Sequence, residues 1–139
     1  MPDALFGRRI LVIEDEMLVA LLLQDMLADL GAVVIGPAAS VGEALTLIET
    51  EVFDAAVVDI NLNGQMSYPA ADALLARDVP FVFSTGYAAN RLQEGYRGHR
   101  ALQKPYHMTE LRTALADGIA RAARGAGDGP GAGATDLAA

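Results

Sequence analysis

Short apolar runs alternate along this chain with stretches at helical spacing, and each run stops at a polar or charged residue or at a Gly-Pro pair. A strand that is apolar on both faces has no side to show to water. It must be covered twice, as parallel strands joined by helices are. Residues 10–13 form the first run, stopped by Glu14, Asp15 and Glu16. Residues 17–30 follow at helical spacing, with Val19, Leu22, Leu23, Met26, Leu27 and Leu30 on one face and Gly31 as the stop. Residues 32–35 read as a second strand, closed by Gly36-Pro37. Ser40-Val41-Gly42-Glu43 is a capping box that starts a helix running to about Thr50. Residues 53–60 read as a third strand with Asp59 near its end, and 61–68 as a polar, Gly-containing loop. Residues 69–76 read as a helix with Pro69 in its first turn. A fourth strand, 80–84, leads into Thr85-Gly86. The stretch 88–95 is a weak helix, and 100–103 a short fifth strand ended by Lys104-Pro105. The last helix, 108–124, has Leu111, Leu115 and Ile119 as its apolar stripe. The fold expected is α/β, a doubly wound five-stranded parallel sheet with helices on both faces. Residues 125–139 turn to Gly and Ala with no periodicity, which predicts a flexible tail behind one domain at 1–124.

Composition narrows the function. The 139 residues suit one domain, and 53% of them are hydrophobic, which excludes a disordered chain. The absence of cysteine excludes disulfides, thiolate metal sites and a Cys nucleophile, and fits a reducing compartment. A net charge of −8 without a basic patch argues against direct binding of nucleic acid. The longest apolar run, 17–23, is far shorter than the roughly 20 residues that span a bilayer. The charges near the N-terminus precede a strand-like run and do not make a secretory signal. The expectation is a cytoplasmic protein without a membrane segment.

In open parallel sheets, ligands bind beyond the C-terminal ends of the strands. Here those ends carry Glu14-Asp15, Asp59, Thr85 and Lys104. Two carboxylates about 4 Å apart repel by about 4 kcal/mol at an effective dielectric of 20, so three in one pocket need a cation or a proton. Oxygen ligands without His or Cys favour a hard ion, and Mg²⁺ fits because it uses few carboxylates and recruits phosphate oxygens. A carboxylate can attack phosphorus and form an acyl phosphate. Lys104 would supply an ammonium to the phosphoryl oxygens, Thr85 a hydroxyl hydrogen bond, and Gly86 the room. Taken singly, each residue has a plainer role. Asp15 or Glu16 could cap the first helix, Asp59 could be an ordinary strand-end acid, Thr85 a turn residue and Lys104 a solvated loop lysine. Four suitable residue types at four strand ends favour the joint reading.

Together these residues resemble the response-regulator receiver family, over about residues 8–124. The resemblance rests on Val12-Ile13-Glu14-Asp15-Glu16, Val57-Val58-Asp59, Ser84-Thr85-Gly86 and Lys104-Pro105-Tyr106. It implies a flavodoxin-like strand order 2-1-3-4-5 and a phosphoacceptor at Asp59. It also implies Mg²⁺ ligation by Asp15, Asp59 and the backbone carbonyl of Asn61, with Glu14 acting through water. Thr85 and Lys104 would be the switch hydroxyl and the phosphate-binding amine, and the Lys104-Pro105 bond would be cis. The partners implied are a histidine kinase and either a histidine phosphotransfer protein or a downstream protein target, with the chain a monomer or weak dimer. No output domain is expected in the remaining residues. Two positions depart from the family pattern. Ala101 stands where an aromatic residue is usual, and the loop after Asp59 lacks the common proline. Both departures, with Phe83-Ser84-Thr85-Gly86-Tyr87, resemble a subgroup named for a Phe-Ala-Thr-Gly motif and found in alphaproteobacterial stress signalling. Tyr87 is then a candidate for the missing aromatic.

Two rival functions remain at this point. One is a receiver-like binding module that works without phosphorylation. The other is an enzyme, a small phosphohydrolase, against which Asn61 stands where such enzymes commonly place a second acid. Leu18 and Leu21, off the main stripe of the first helix, either mark a partner or dimer face or are core under a wide buried arc, and core is the favoured reading. His99 and His107 lack metal-ligand spacing and read as surface or turn residues.

Overall fold

Each apolar run feeds two helical layers at once, which is why none shows a polar phase. In the computed structural model, which describes residues 4–86, 92, 94–96 and 99–128, the chain runs β1 (Arg9–Ile13), α1 (Met17–Asp29), β2 (Val33–Ala38), α2 (Val41–Thr50) and β3 (Ala55–Asp59). It continues through β4 (Asn61–Leu62), β5 (Gln65–Met66), α3 (Tyr68–Ala76), β6 (Phe81–Thr85), β7 (Ala101–Gln103) and α4 (Met108–Asp128). The main sheet has five strands in the order β2-β1-β3-β6-β7, every neighbouring pair parallel. This is the expected flavodoxin-like order, with the short β4-β5 ribbon set apart from it.

Alternate residues divide between the layers. Ile10, Val12, Val57 and Val82 pack with Leu23 and Leu27 of α1 and Leu111 and Leu115 of α4. Leu11, Ile13, Val58 and Phe83 pack with Ala44 and Ile48 of α2 and Ala71 and Leu74 of α3. Burial of one such Leu, Ile or Phe contributes roughly 1.5–3 kcal/mol, so this alternation holds the strand ends in a fixed plane.

The capping box forms. The Glu43 amide donates to Ser40 Oγ at 3.1 Å, while the Glu43 carboxylate accepts from the Ala39 amide at 2.8 Å. By contrast, the N-cap of α1 is Glu16 without a side-chain cap bond, so neither Asp15 nor Glu16 is used in that plainer way.

Several boundaries differ from expectation. β2 does not end at Gly36-Pro37 but continues to Ala38, through a register irregularity against β1 and a cis Gly36-Pro37 bond. Gly36 holds a positive φ of 97°, and a Cβ there would meet the Ala38 amide nitrogen and the Val12 carbonyl oxygen, both at 2.9 Å. Only glycine tolerates that approach. The Lys104-Pro105 bond is cis, as expected. The loop expected at 61–68 contains the β4-β5 hairpin and the start of α3. α4 runs four residues past the expected Arg124, to Asp128. Of the weak helix expected at 88–95, the described residues are Leu92, at a bend, and Glu94 and Gly95, which open a 3-10 turn at Glu94–Tyr96. Among the described residues, no helix is long and apolar enough to cross a membrane.

Candidate functional site

Strand register brings the expected residues to one rim. Asp59 pairs with Ser84 across β3 and β6, and Thr85 pairs with Gln103 across β6 and β7. The Lys104 amide donates to the Thr85 carbonyl at 2.7 Å, and the Glu14 amide to the Ala38 carbonyl at 2.9 Å. These bonds fix the first residues beyond each strand. They open onto a cavity of about 380 Å³ lined by Asp15, Glu16, Asp59, Asn61, Asn63, Thr85, Gly86 and Lys104. Asp59 is only 7% exposed, yet it faces this cavity.

The charges are tightly coupled. Glu14, Asp15 and Asp59 each offer an oxygen within 4.8 Å of the others. Lys104 Nζ lies 2.9 Å from Glu14 Oε1 and 3.5 Å from Asp59 Oδ1. Glu14 is itself buried and lies outside the lining of the cavity. It therefore serves here as the direct partner of the lysine. Burial pushes the Asp59 carboxyl up to about 8, and the Glu14 and Asp15 charges push the same way while Lys104 opposes them. Burial works against the Lys104 ammonium, but the Glu14 hydrogen bond and the Asp59 charge outweigh it and raise its pKa. A proton on Asp59 is thus one way to relieve the cluster, and a hard divalent cation is the other. The donor set, carboxylates and backbone without His or Cys, fits Mg²⁺.

The β4-β5 hairpin completes the rim. Asn63 and Gly64 have φ of 53° and 86°, both positive, as a two-residue type I′ turn requires. The Asn63 amide donates to Asp15 Oδ2 at 2.9 Å, and the Gly64 amide to Asn61 Oδ1 at 2.7 Å. The hairpin so orients Asp15 and closes the cavity beside Asn61. Its signal was the Asn63-Gly64 dipeptide, masked by the shortness of the flanking strands.

Comparison with known proteins accords with this geometry. The response regulator receiver domain family matches residues 10–116. The chain belongs to that family. Receivers of known structure share the fold. The solution structure of SdrG from Sphingomonas melonis Fr1 is 42% identical, with a TM-score of 0.71 over 82% of this chain and 96% of that one. The receiver domain of sensor histidine kinase PA1611 from Pseudomonas aeruginosa PAO1, solved with a magnesium ion coordinated in its active-site cleft, is 28% identical, with a TM-score of 0.68 over 82% of this chain and 98% of that one. Transcriptional regulatory protein PdtaR of Mycobacterium tuberculosis is 29% identical over 123 residues, 86% of this chain. The chain spans 60% of the length of that relative.

Other expectations fare differently. The reading of Leu18 and Leu21 as core is overturned, since they are 81% and 49% exposed. Helical spacing gives an arc but not its width, and α1 buries only Ala20, Leu23 and Leu27. His99 is half-buried, with Nε2 2.8 Å from the Phe81 carbonyl and its ring 4.3 Å from that of Phe81. His107 is exposed, as expected. Tyr87 lies outside the described residues. A larger groove of about 750 Å³ sits at the opposite end of β6 against α4. Its charged lining is Asp78, Arg100, Asp117 and Arg121, with Arg100 and Asp117 paired at 3.6 Å.

Proposed function

We propose that this receiver is a phosphoacceptor switch in which Asp59 takes a phosphoryl group from a histidine kinase. The reading rests above all on Lys104 Nζ, 3.5 Å from Asp59 Oδ1, at the floor of an open cavity that Thr85 also lines. An Asp59 carboxylate oxygen attacks phosphorus, the bond from phosphorus to the donor imidazole nitrogen breaks, and that nitrogen keeps the electron pair. Lys104 and the Thr85 hydroxyl receive the phosphoryl oxygens. Asp15, Asp59 and the Asn61 backbone carbonyl would hold Mg²⁺, with Glu14 acting through water. The bound ion would keep Asp59 ionised and draw charge from the transferring oxygens. The PA1611 receiver, which binds magnesium in its cleft, supports this assignment.

A donor surface adjoins the site. Met17, Leu18, Leu21 and Leu22 are exposed on α1, immediately after Asp15 and Glu16 at the rim of the cavity. Apolar exposure of this kind beside a reactive group suits a docking partner. The kinase reaches Asp59 over this face, and the signal passes on by protein binding or onward phosphotransfer rather than by turnover of a substrate. We place the receiver at 1–124, with its last helix carried on to Asp128, and assign the protein to the cytoplasm as a monomer or weak dimer that contacts neither nucleic acid nor membrane.

Acetyl phosphate with Mg²⁺ tests the chemistry. Mass spectrometry is expected to find one added phosphoryl group on the wild type and none on Asp59→Asn. No gain on the wild type, either with acetyl phosphate or with a panel of autophosphorylated histidine kinases, would overturn the proposal in favour of a binding module that works without phosphorylation. A Leu18→Lys/Leu21→Lys variant is expected to label normally with acetyl phosphate but to accept phosphate from a kinase at least tenfold more slowly.

A further inference from the structure

Ala101 leaves β7 without the aromatic side chain that the family places there, and the space beside it is not empty. Ala101 is the register partner of Phe83, and it packs against the cluster that contains Phe83, Tyr68 and Tyr96. Tyr96 enters this cluster from the connector between β6 and β7, and it is 5% exposed. Its ring stacks on Tyr68 at 5.5 Å and meets Phe83 edge-on at 5.4 Å. Its hydroxyl donates to Asp72 Oδ1 on α3 at 2.6 Å. A hydroxyl bonded to a carboxylate at this length is a strong, directional contact. Burial and the Asp72 bond both hold the Tyr96 phenol above its ordinary pKa.

Tyr68 of α3 also meets Phe83 edge-on, at 5.9 Å, and Tyr96 adds to that apolar contact a polar link between the two elements. At one end it rests on Phe83, two residues before Thr85 on the same strand. At the other it grips Asp72, which is exposed on α3. We propose that Tyr96 is the positioning residue that takes the place of the absent β7 aromatic and, through its hydroxyl bond to Asp72, couples the Thr85 end of β6 to the exposed face of α3. The proposal rests on the phosphoacceptor reading. A phosphoryl group on Asp59 draws Thr85 toward it, and the chain that follows Thr85 carries Tyr96. A tightly packed aromatic cluster then responds as a unit rather than yielding locally.

Amide chemical shifts, recorded with and without beryllium trifluoride and Mg²⁺ on the full chain, test this. In the wild type, shift changes are expected at Thr85 and Lys104 and also at Asp72 and Ala73. Tyr96→Phe keeps the ring and loses the hydroxyl, so the changes at Thr85 and Lys104 are expected to persist while those at Asp72 and Ala73 fall to baseline. Asp72→Ala is expected to behave like Tyr96→Phe, whereas Asp72→Asn, which retains an acceptor oxygen, is expected to restore the α3 response. A merely structural role for Tyr96 would lower stability and leave the pattern of shifts unaltered. Equal α3 responses in wild type and Tyr96→Phe, or none in a wild type whose Thr85 and Lys104 do respond, would overturn the coupling alone. Failure of Asp59 to take up phosphoryl or its analogue would instead remove the proposed function.

Discussion

Replacing Asp59 by asparagine keeps the shape of the side chain and deletes one charge from the acidic cluster. With the acids within 4.8 Å of one another, the repulsions of Asp59 with Glu14 and Asp15 sum to about 7 kcal/mol at an effective dielectric of about 20. The attraction of Lys104 at 3.5 Å returns about 5 kcal/mol on the same scale. The balance is about 2 kcal/mol against an ionised Asp59 in the metal-free protein, before the further penalty of its burial. The sign with pH follows from the raised carboxyl, at about 8 in the fold against 3.8. Below the lower value both folded and unfolded chains are protonated, and the charge has no effect. Between the two, the folded chain binds a proton that the unfolded chain has released, so wild-type stability falls as pH rises. Above the higher value the penalty is complete. Asparagine does not titrate, so Asp59→Asn is expected to be the more stable protein in EDTA, by an amount that grows from pH 5 to pH 8. At pH 8 the gap should reach at least about 2 kcal/mol, roughly 8 °C in melting temperature for a domain of this size. Mg²⁺ should raise the wild-type melting temperature more than that of the variant. Thermal melts in EDTA and in Mg²⁺ across this range provide the test. A variant that melts at or below the wild type at pH 8, or a gap that does not change with pH, would refute the electrostatic account of the site.

The remaining predictions concern single contacts. Lys104→Met strands Glu14, whose side chain is 2% exposed, beside Asp59; it is expected to destabilise the protein by about 3 kcal/mol in urea melts and to abolish acetyl-phosphate labelling. Ser40→Ala removes the cap of α2 and should lower the urea midpoint by the equivalent of about 1 kcal/mol with an unchanged slope. Gly36→Ala forces a Cβ to 2.9 Å from two backbone atoms at a positive φ and should cost about 2 kcal/mol or more, again read from urea unfolding.

The sequence by itself determined the layered sheet, because apolar runs with no polar phase admit few coverings. It also determined the rim. Asp15, Asp59, Thr85 and Lys104 each stand at the end of a run, and parallel strands bring their ends to one side. What it left open depends on distances between elements. Glu14 and Asp15 are adjacent in the chain, but only the packed structure turns Glu14 inward to Lys104 and Asp15 toward the cavity, where the Asn63 amide meets it. The exposed face of α1 was equally illegible, since periodicity tells which residues share a side and not how much of that side the sheet covers. The same holds for the space beside Ala101. A missing side chain is plain in the sequence, but that Tyr96, from a connector with weak local pattern, joins the aromatic cluster against which Ala101 packs was decided by tertiary packing, where volume must be filled from whatever chain lies within reach.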